Sequence, residues 1–228
     1  MAHTASLTAA DGTVVPAYVA EPAGTPRGAV VVLQEIFGVN AHIRAVADAY
    51  AAAGYRAVAP ATFHRVRPDV DLGYTDDDRN TGFALKAAVE QLPEPGVLQD
   101  IQAAIHHAGS GGLKVGIVGY CWGGLLTWRA AALLEGLSAA VPYYGGGVTV
   151  EPDASRTPAV PVLAHFADQD HWIPLESIKT FCAAHPEVQV HLYAAHHGFN
   201  CDHRSAYDAP SATLARERTL AFLAKHVG

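Results

Sequence analysis

The sequence predicts an α/β fold: a mostly parallel sheet with helices on both faces, entered through an N-terminal antiparallel hairpin. Three observations predict it. Strand-like and helix-like segments alternate along nearly the whole chain, the pattern of β-α-β units. Ala29 to Leu33 and Lys114 to Val118 are nearly continuous apolar runs, as strands covered on both faces are. The length of 228 residues suits one α/β domain spanning 1–228, large enough to leave roughly 10,000 Å² exposed and bury about 70% of the extended-chain surface.

The elements follow in order. Ala5 to Glu21 alternates apolar and polar residues around Asp11-Gly12, a hairpin turn signal. The proline- and glycine-rich stretch at 22–26 separates it from the first buried strand, Ala29 to Leu33. His42 to Ala53 carries Ile43, Val46, Ala47 and Tyr50 at helical spacing and stops at Gly54. Arg56 to Ala59 is a strand ended by Pro60, and Ala61 to Thr75 is loop-like. Helices are expected over Asp76 to Gln91 and Val97 to Ala108, then the strand Lys114 to Val118 and a helix from Trp122 to Leu134. Strands Leu137 to Tyr144, Pro161 to Phe166 and Val188 to Tyr193 follow, with helices Leu175 to Ala184 and Ser211 to Val227.

Composition narrows the function. Fifteen Lys and Arg against 22 Asp and Glu give a net charge of −7, which disfavours a general nucleic-acid surface because phosphate contacts need clustered cations. Half of the chain is hydrophobic and 16% is charged, which excludes disorder as the main state. Three cysteines without a CxxC spacing suit free thiols in a reducing compartment. The first residues lack the basic and apolar regions of a signal peptide, and no apolar run reaches membrane-spanning length, so a cytoplasmic protein without membrane partners is expected.

The strongest chemical signal is Gly119-Tyr120-Cys121-Trp122-Gly123-Gly124, where the segment VGIVGY meets a helix. In a G-x-nucleophile-x-G elbow, the central residue sits on a strained strand-to-helix turn with its side chain above the sheet. Small residues two positions before and after it let strand and helix approach closely. The nucleophile here is Cys121, and a helix N-terminus favours its thiolate. An elbow needs an acid and then a base later in the chain. Asp168 and Asp170 both follow the strand that ends near Phe166, and His196 and His197 both follow the last strand; spacing alone does not choose within either pair.

These residues resemble the dienelactone hydrolase (carboxymethylenebutenolidase) family, a small branch of the α/β-hydrolase fold. The resemblance spans nearly the whole chain and rests on LQEIFGVN at 33–40, GYCWGG at 119–124, YYGGG at 143–147, DQDHWIP at 168–174 and HHGFN at 196–200. It implies a Cys121–His197–Asp170 triad, the D-x-x-I-P pattern selecting Asp170 and the H-G-F pattern selecting His197. It gives Glu35 a part in deprotonating the thiol when substrate binds. The oxyanion hole is then expected from the backbone N–H groups of Ile36 and Trp122.

The family's substrate carries a carboxylate that arginines hold. Arg79 falls where the resemblance places one of them, Phe83 replaces a tyrosine, and Tyr144 joins the expected substrate contacts. The family's second arginine position is Cys201 here, and Arg204 is the candidate replacement. Only Gly145 to Val160 lies between two strands at the point where a cap domain could be inserted, so an uncapped cleft for small substrates is expected. The resulting expectation is a monomeric hydrolase of small lactones or esters, of the kind used in aromatic degradation, acting through a cysteinyl acyl-enzyme without a cofactor.

Two other classes compete. His165, Asp168, Asp170 and His171, with His196, His197 and His203, are metal-capable residues close in sequence. Ligands alternating along a strand end point to opposite faces, and no HExxH pair exists, so no metal is expected. A reactive-cysteine protein that binds ligand or senses oxidants without turnover is the alternative that remains.

Overall fold

The computed structural model describes residues 1–228. Eight strands form one sheet in the order β1-β2-β4-β3-β5-β6-β7-β8. They are β1 (Ala2–Thr8), β2 (Val14–Ala20), β3 (Ala29–Leu33), β4 (Arg56–Pro60), β5 (Val115–Tyr120), β6 (Leu137–Tyr143), β7 (Leu163–Ala167) and β8 (Gln189–Tyr193). The pairs β1–β2 and β2–β4 are antiparallel and the other five are parallel. The hairpin turn at 9–13 closes on Ala9 N–H to Thr13 O at 2.8 Å and Gly12 N–H to Ala9 O at 2.9 Å. Gly12 takes φ +85°, a conformation that costs a glycine little.

The helices are α1 (Ala41–Ala52), α2 (Asp76–Glu90), α3 (Leu98–Ala108), α4 (Trp122–Leu133), α5 (Leu175–Ala184) and α6 (Ala209–His226). Helices α1 and α6 cover one face of the sheet. On the other face α3 and α4 pack on the strands and on each other, with α5 joining through Phe181 against Trp128 and Phe166. All of β3 is fully buried between these layers, which is why its sequence is uniformly aliphatic. The exposed surface is 9544 Å², close to the value expected for this mass.

Element ends depart from the sequence pattern where a cap or a turn decides. Helix α6 starts at Ala209, before the expected Ser211. Asp208 caps it by accepting from Ser211 N–H at 2.9 Å, and Pro210 sits in the first turn, where its missing N–H is harmless. Strand β5 runs on to Tyr120, directly against Cys121. Strand β6 stops at Tyr143, because Tyr144 turns to φ +35°. Between Gly145 and Val160 there is only a 3-10 turn at Asp153–Ser155, so no cap covers the sheet edge.

The site is positioned by strand order. Strand β3 lies between β4 and β5, so the chain reverses its direction of travel across the sheet there. A crevice opens at the carboxyl ends of strands at such a switch point. Glu35 and Ile36 follow β3, and Cys121 follows β5, at that edge.

Candidate active site

Cys121 is the N-cap of α4, with φ 55° and ψ −116°, a strained backbone for a residue other than glycine. What forces it is backbone packed on backbone. A methyl group at Gly119 would overlap the Gly123 carbonyl, and one at Gly123 would overlap the carbonyls of Leu33 and Gln34. One at Gly124 would come within 2.7 Å of the Tyr143 carbonyl oxygen. The Cys121 N–H donates to Tyr143 O at 3.0 Å, tying the corner to β6. The sulfur lies on the wall of a cleft of about 500 Å³.

His197 lies on the loop after β8 and is buried, with Nδ1 2.7 Å from Asp170 Oδ2. Because a carboxylate can only accept, Nδ1 carries the proton and Nε2 is left free, in a residue that lines the same cleft as Cys121. Asp170 Oδ1 accepts the Trp172 N–H at 2.8 Å, which fixes the carboxylate. Burial pushes the His197 imidazole down, but negative charge on Cys121, once the thiol ionises, and the Asp170 carboxylate outweigh it and carry it up to about 10. Asp168 and His196 are exposed, with His196 Nδ1 3.0 Å from Gln169 O. The structure therefore pairs Asp170 with His197 and leaves their sequence neighbours outside.

Glu35 is buried, and its Oε1 accepts from Arg204 Nη1 at 3.0 Å. Arg204 reaches this carboxylate from the loop after β8 because Gly198, at φ +85°, leaves room; a Cβ there would collide with the guanidinium. The guanidinium also stands over the Phe37 ring, 5.8 Å from its centroid. Cys201, at the family's second arginine position, is buried, and its thiol is pushed up to about 12, by burial first and then by the Glu35 carboxylate. Ile36 and Trp122 both line the cleft. As the first residue of α4, Trp122 presents an amide with no intrahelical acceptor.

Arg79 and Phe83, on successive turns of α2, line the mouth of the cleft. Arg79 is half-exposed and pairs with Asp76 at 2.9 Å; Phe83 tilts against Trp172 at 5.6 Å between centroids. Tyr144 is not on the cleft wall. Its positive φ turns it under the site, where it is fully buried, 5.1 Å from the His197 ring and edge-on to it.

The sequence reading missed part of the wall. Glu90 Oε1 accepts from Trp122 Nε1 at 2.7 Å, and both Glu90 oxygens accept from Arg129 Nη1, at 3.0 and 2.8 Å. Arg129 in turn donates to Asp153 at 3.0 and 2.9 Å. Trp122 and Arg129 are seven positions apart on α4 and so share one face, which was a readable signal. Lys86 also lines the cleft and has no ion pair. His165, one of the clustered histidines, serves packing: it bridges Tyr193 Oη at 2.8 Å and Thr219 Oγ1 at 2.9 Å, and burial holds it well below the ordinary histidine range.

Comparison with known proteins matches this arrangement. The family model of the dienelactone hydrolase family covers residues 15–227. The chain is 40% identical to a carboxymethylenebutenolidase of Pseudomonas putida, over 96% of this chain and 94% of that one. A Klebsiella pneumoniae structure provisionally described as a dienelactone hydrolase superposes with a TM-score of 0.82 at 31% identity, covering 99% of each chain. A dienelactone hydrolase-like promiscuous phosphotriesterase from metagenomic libraries, with a TM-score of 0.78 at 22% identity and covering 100% of this chain and 99% of that one, shares the fold. No helix is long and apolar enough to cross a membrane. The chain belongs to the dienelactone hydrolase family and is a carboxylic-ester hydrolase.

Proposed function

We propose that the chain hydrolyses small lactones or esters through a cysteinyl acyl-enzyme, with Cys121 as nucleophile, His197 as base and acid, and Asp170 as the group that orients the imidazole. One observation carries the reading: the 2.7 Å Asp170–His197 pair shares a cleft with a cysteine held at a strained corner. The thiol proton passes to His197 Nε2 and the thiolate attacks the substrate carbonyl. The developing oxyanion is held by the amides of Ile36 and Trp122. Collapse breaks the C–O bond, the leaving oxygen takes the proton from His197, and water activated by His197 then cleaves the thioester.

Glu35 is the carboxylate that assists thiol ionisation once substrate competes for Arg204. At rest, Arg204 holds Glu35 on one oxygen. A substrate carboxylate reaching Arg204, with Arg79 and the unpaired Lys86 as further cations, would free Glu35 to act as a base towards Cys121. The substrate class is therefore a small anionic lactone or ester of the carboxymethylenebutenolide kind, with Phe83 against its apolar part and Tyr144 supporting His197 from beneath. The uncapped cleft suits a small, soluble substrate, and the reading takes the enzyme as a cytoplasmic monomer. A reactive-cysteine binder without turnover gains no support from the family membership.

Cys121→Ala tests the reading. Hydrolysis of p-nitrophenyl acetate and of a dienelactone should fall to background, while the wild type should show acyl mass on the peptide that contains Cys121. Undiminished turnover by the variant would refute the assignment.

A further inference from the structure

Beside the triad, three ligand-capable side chains converge: the Glu35 carboxylate, the His42 ring and the Cys201 sulfur. Their ligand atoms lie within 4.8 Å of one another, and all three residues are buried. They come from the loop after β3, the first turn of α1 and the loop after β8. Glu35 Oε2 and His42 Nε2 have no hydrogen-bond partner, although the two residues are only 1% and 3% exposed. Buried polar atoms left without partners are costly and uncommon.

Each of the three is held from behind. His42 Nδ1 lies 3.1 Å from Asp202 Oδ1. Glu35 Oε1 takes Arg204 Nη1 at 3.0 Å. The Cys201 backbone is pinned by its N–H donating to Gly198 O at 3.0 Å. A carboxylate behind one imidazole nitrogen, with the other nitrogen presented inward, is the outer-shell arrangement of metal-bound histidines.

We propose that Glu35 Oε2, His42 Nε2 and Cys201 Sγ form a site for a divalent, borderline-soft metal ion, Zn²⁺ by its donor set. Bonds of about 2.0–2.3 Å place the ligand atoms of tetrahedral zinc roughly 3.3–3.8 Å apart, so the group closes by about 1 Å on binding. A water molecule completes the coordination. Binding exchanges the Cys201 S–H bond for an S–Zn bond and releases one proton to solvent. With Glu35 and Cys201 ionised the two charges of the metal are neutralised. Zinc held by Glu35 withdraws that carboxylate from Cys121 and slows turnover; this consequence rests on the base role proposed for Glu35.

The test uses Co²⁺ with the Cys121→Ser protein, which lacks the catalytic thiol as a competing ligand. One Co²⁺ per chain should bind with a thiolate charge-transfer absorption that added Zn²⁺ removes. Binding should weaken at least tenfold when Cys201→Ser is added, and again when His42→Gln is added to the Cys121→Ser protein instead. Absence of the thiolate band, or a band surviving Cys201→Ser, overturns the site. If Cys201→Ser does not fold, the His42→Gln result decides. In the otherwise wild-type enzyme, Zn²⁺ should slow ester hydrolysis and Cys201→Ser should remove that inhibition. Stoichiometric zinc with unchanged turnover overturns the coupling to Glu35. Unchanged turnover in Glu35→Gln removes its role as a base, whereas the site itself is decided separately by the Co²⁺ titrations of the Cys121→Ser protein, in which Glu35 is intact.

Discussion

Arg204→Met offers a quantitative test of how the cleft is built. The substitution keeps an apolar stem over Phe37 and removes the donor 3.0 Å from Glu35 Oε1. Glu35 is 1% exposed, and its Oε2 has no partner even in the wild type, so the variant strands a buried carboxylate. Breaking a buried ion pair from one side costs about 3–5 kcal/mol. The Arg204 side chain is 20% exposed, so part of its charge is already solvated, and the lower end, about 3 kcal/mol, is the expected loss. For a chain of this size each kcal/mol moves Tm by about 2–4 °C, which gives a fall of about 6–12 °C. Differential scanning calorimetry reads it directly. Adding Glu35→Gln removes the stranded charge and should recover about 2 kcal/mol. An Arg204→Met protein within about 1 kcal/mol of wild type, or a double variant no more stable than the single one, would refute the reasoning.

Three further outcomes are expected. Asp170→Asn should lower kcat/KM for p-nitrophenyl acetate by about 10²–10⁴, the range set by loss of the orienting carboxylate in related triads; a loss under about tenfold counts against the triad. The His197 imidazole, raised from its ordinary 6.5 to about 10, is stabilised in its protonated form by the fold. Its contribution is therefore full below about pH 6.5 and is lost as pH rises through about 10; replacing the thiolate by Cys121→Ser should move its NMR titration down, and an unshifted curve would show that sulfur is not the cause. Gly123→Ala places a methyl group against the Leu33 and Gln34 carbonyls and should cost about 3 kcal/mol in urea unfolding; a cost below about 1 kcal/mol would show that the corner can yield.

What could be read from the chain was local. The alternation of aliphatic runs and helical periods located every strand and helix, because burial on a sheet or beneath a helix imposes a short-range pattern. The elbow was readable for the same reason, since Gly119, Gly123 and Gly124 are demanded by contacts within a few residues of Cys121 and by the strands beside it. The helix that the sequence pattern starts at Ser211 begins at Ala209, because the Asp208 cap and not the apolar pattern sets its start. Contacts between distant segments were not readable. Arg204 meets Glu35 across 169 positions, and nothing in the spacing of Glu90, Arg129 and Asp153 announces that one arginine joins two acids. Tyr144 was misjudged because a motif gives a residue's position along the chain and not the φ that turns it beneath the cleft.

The corner that carries Cys121 is fixed by main-chain atoms of neighbouring strands, and the thiol plays no part in that fit. Shape and reactivity are thereby uncoupled at this position. An experimenter can exchange sulfur for oxygen or selenium and compare the intrinsic temper of three nucleophiles on one unchanged scaffold. The same independence leaves the lineage free to change its chemistry by a single atom.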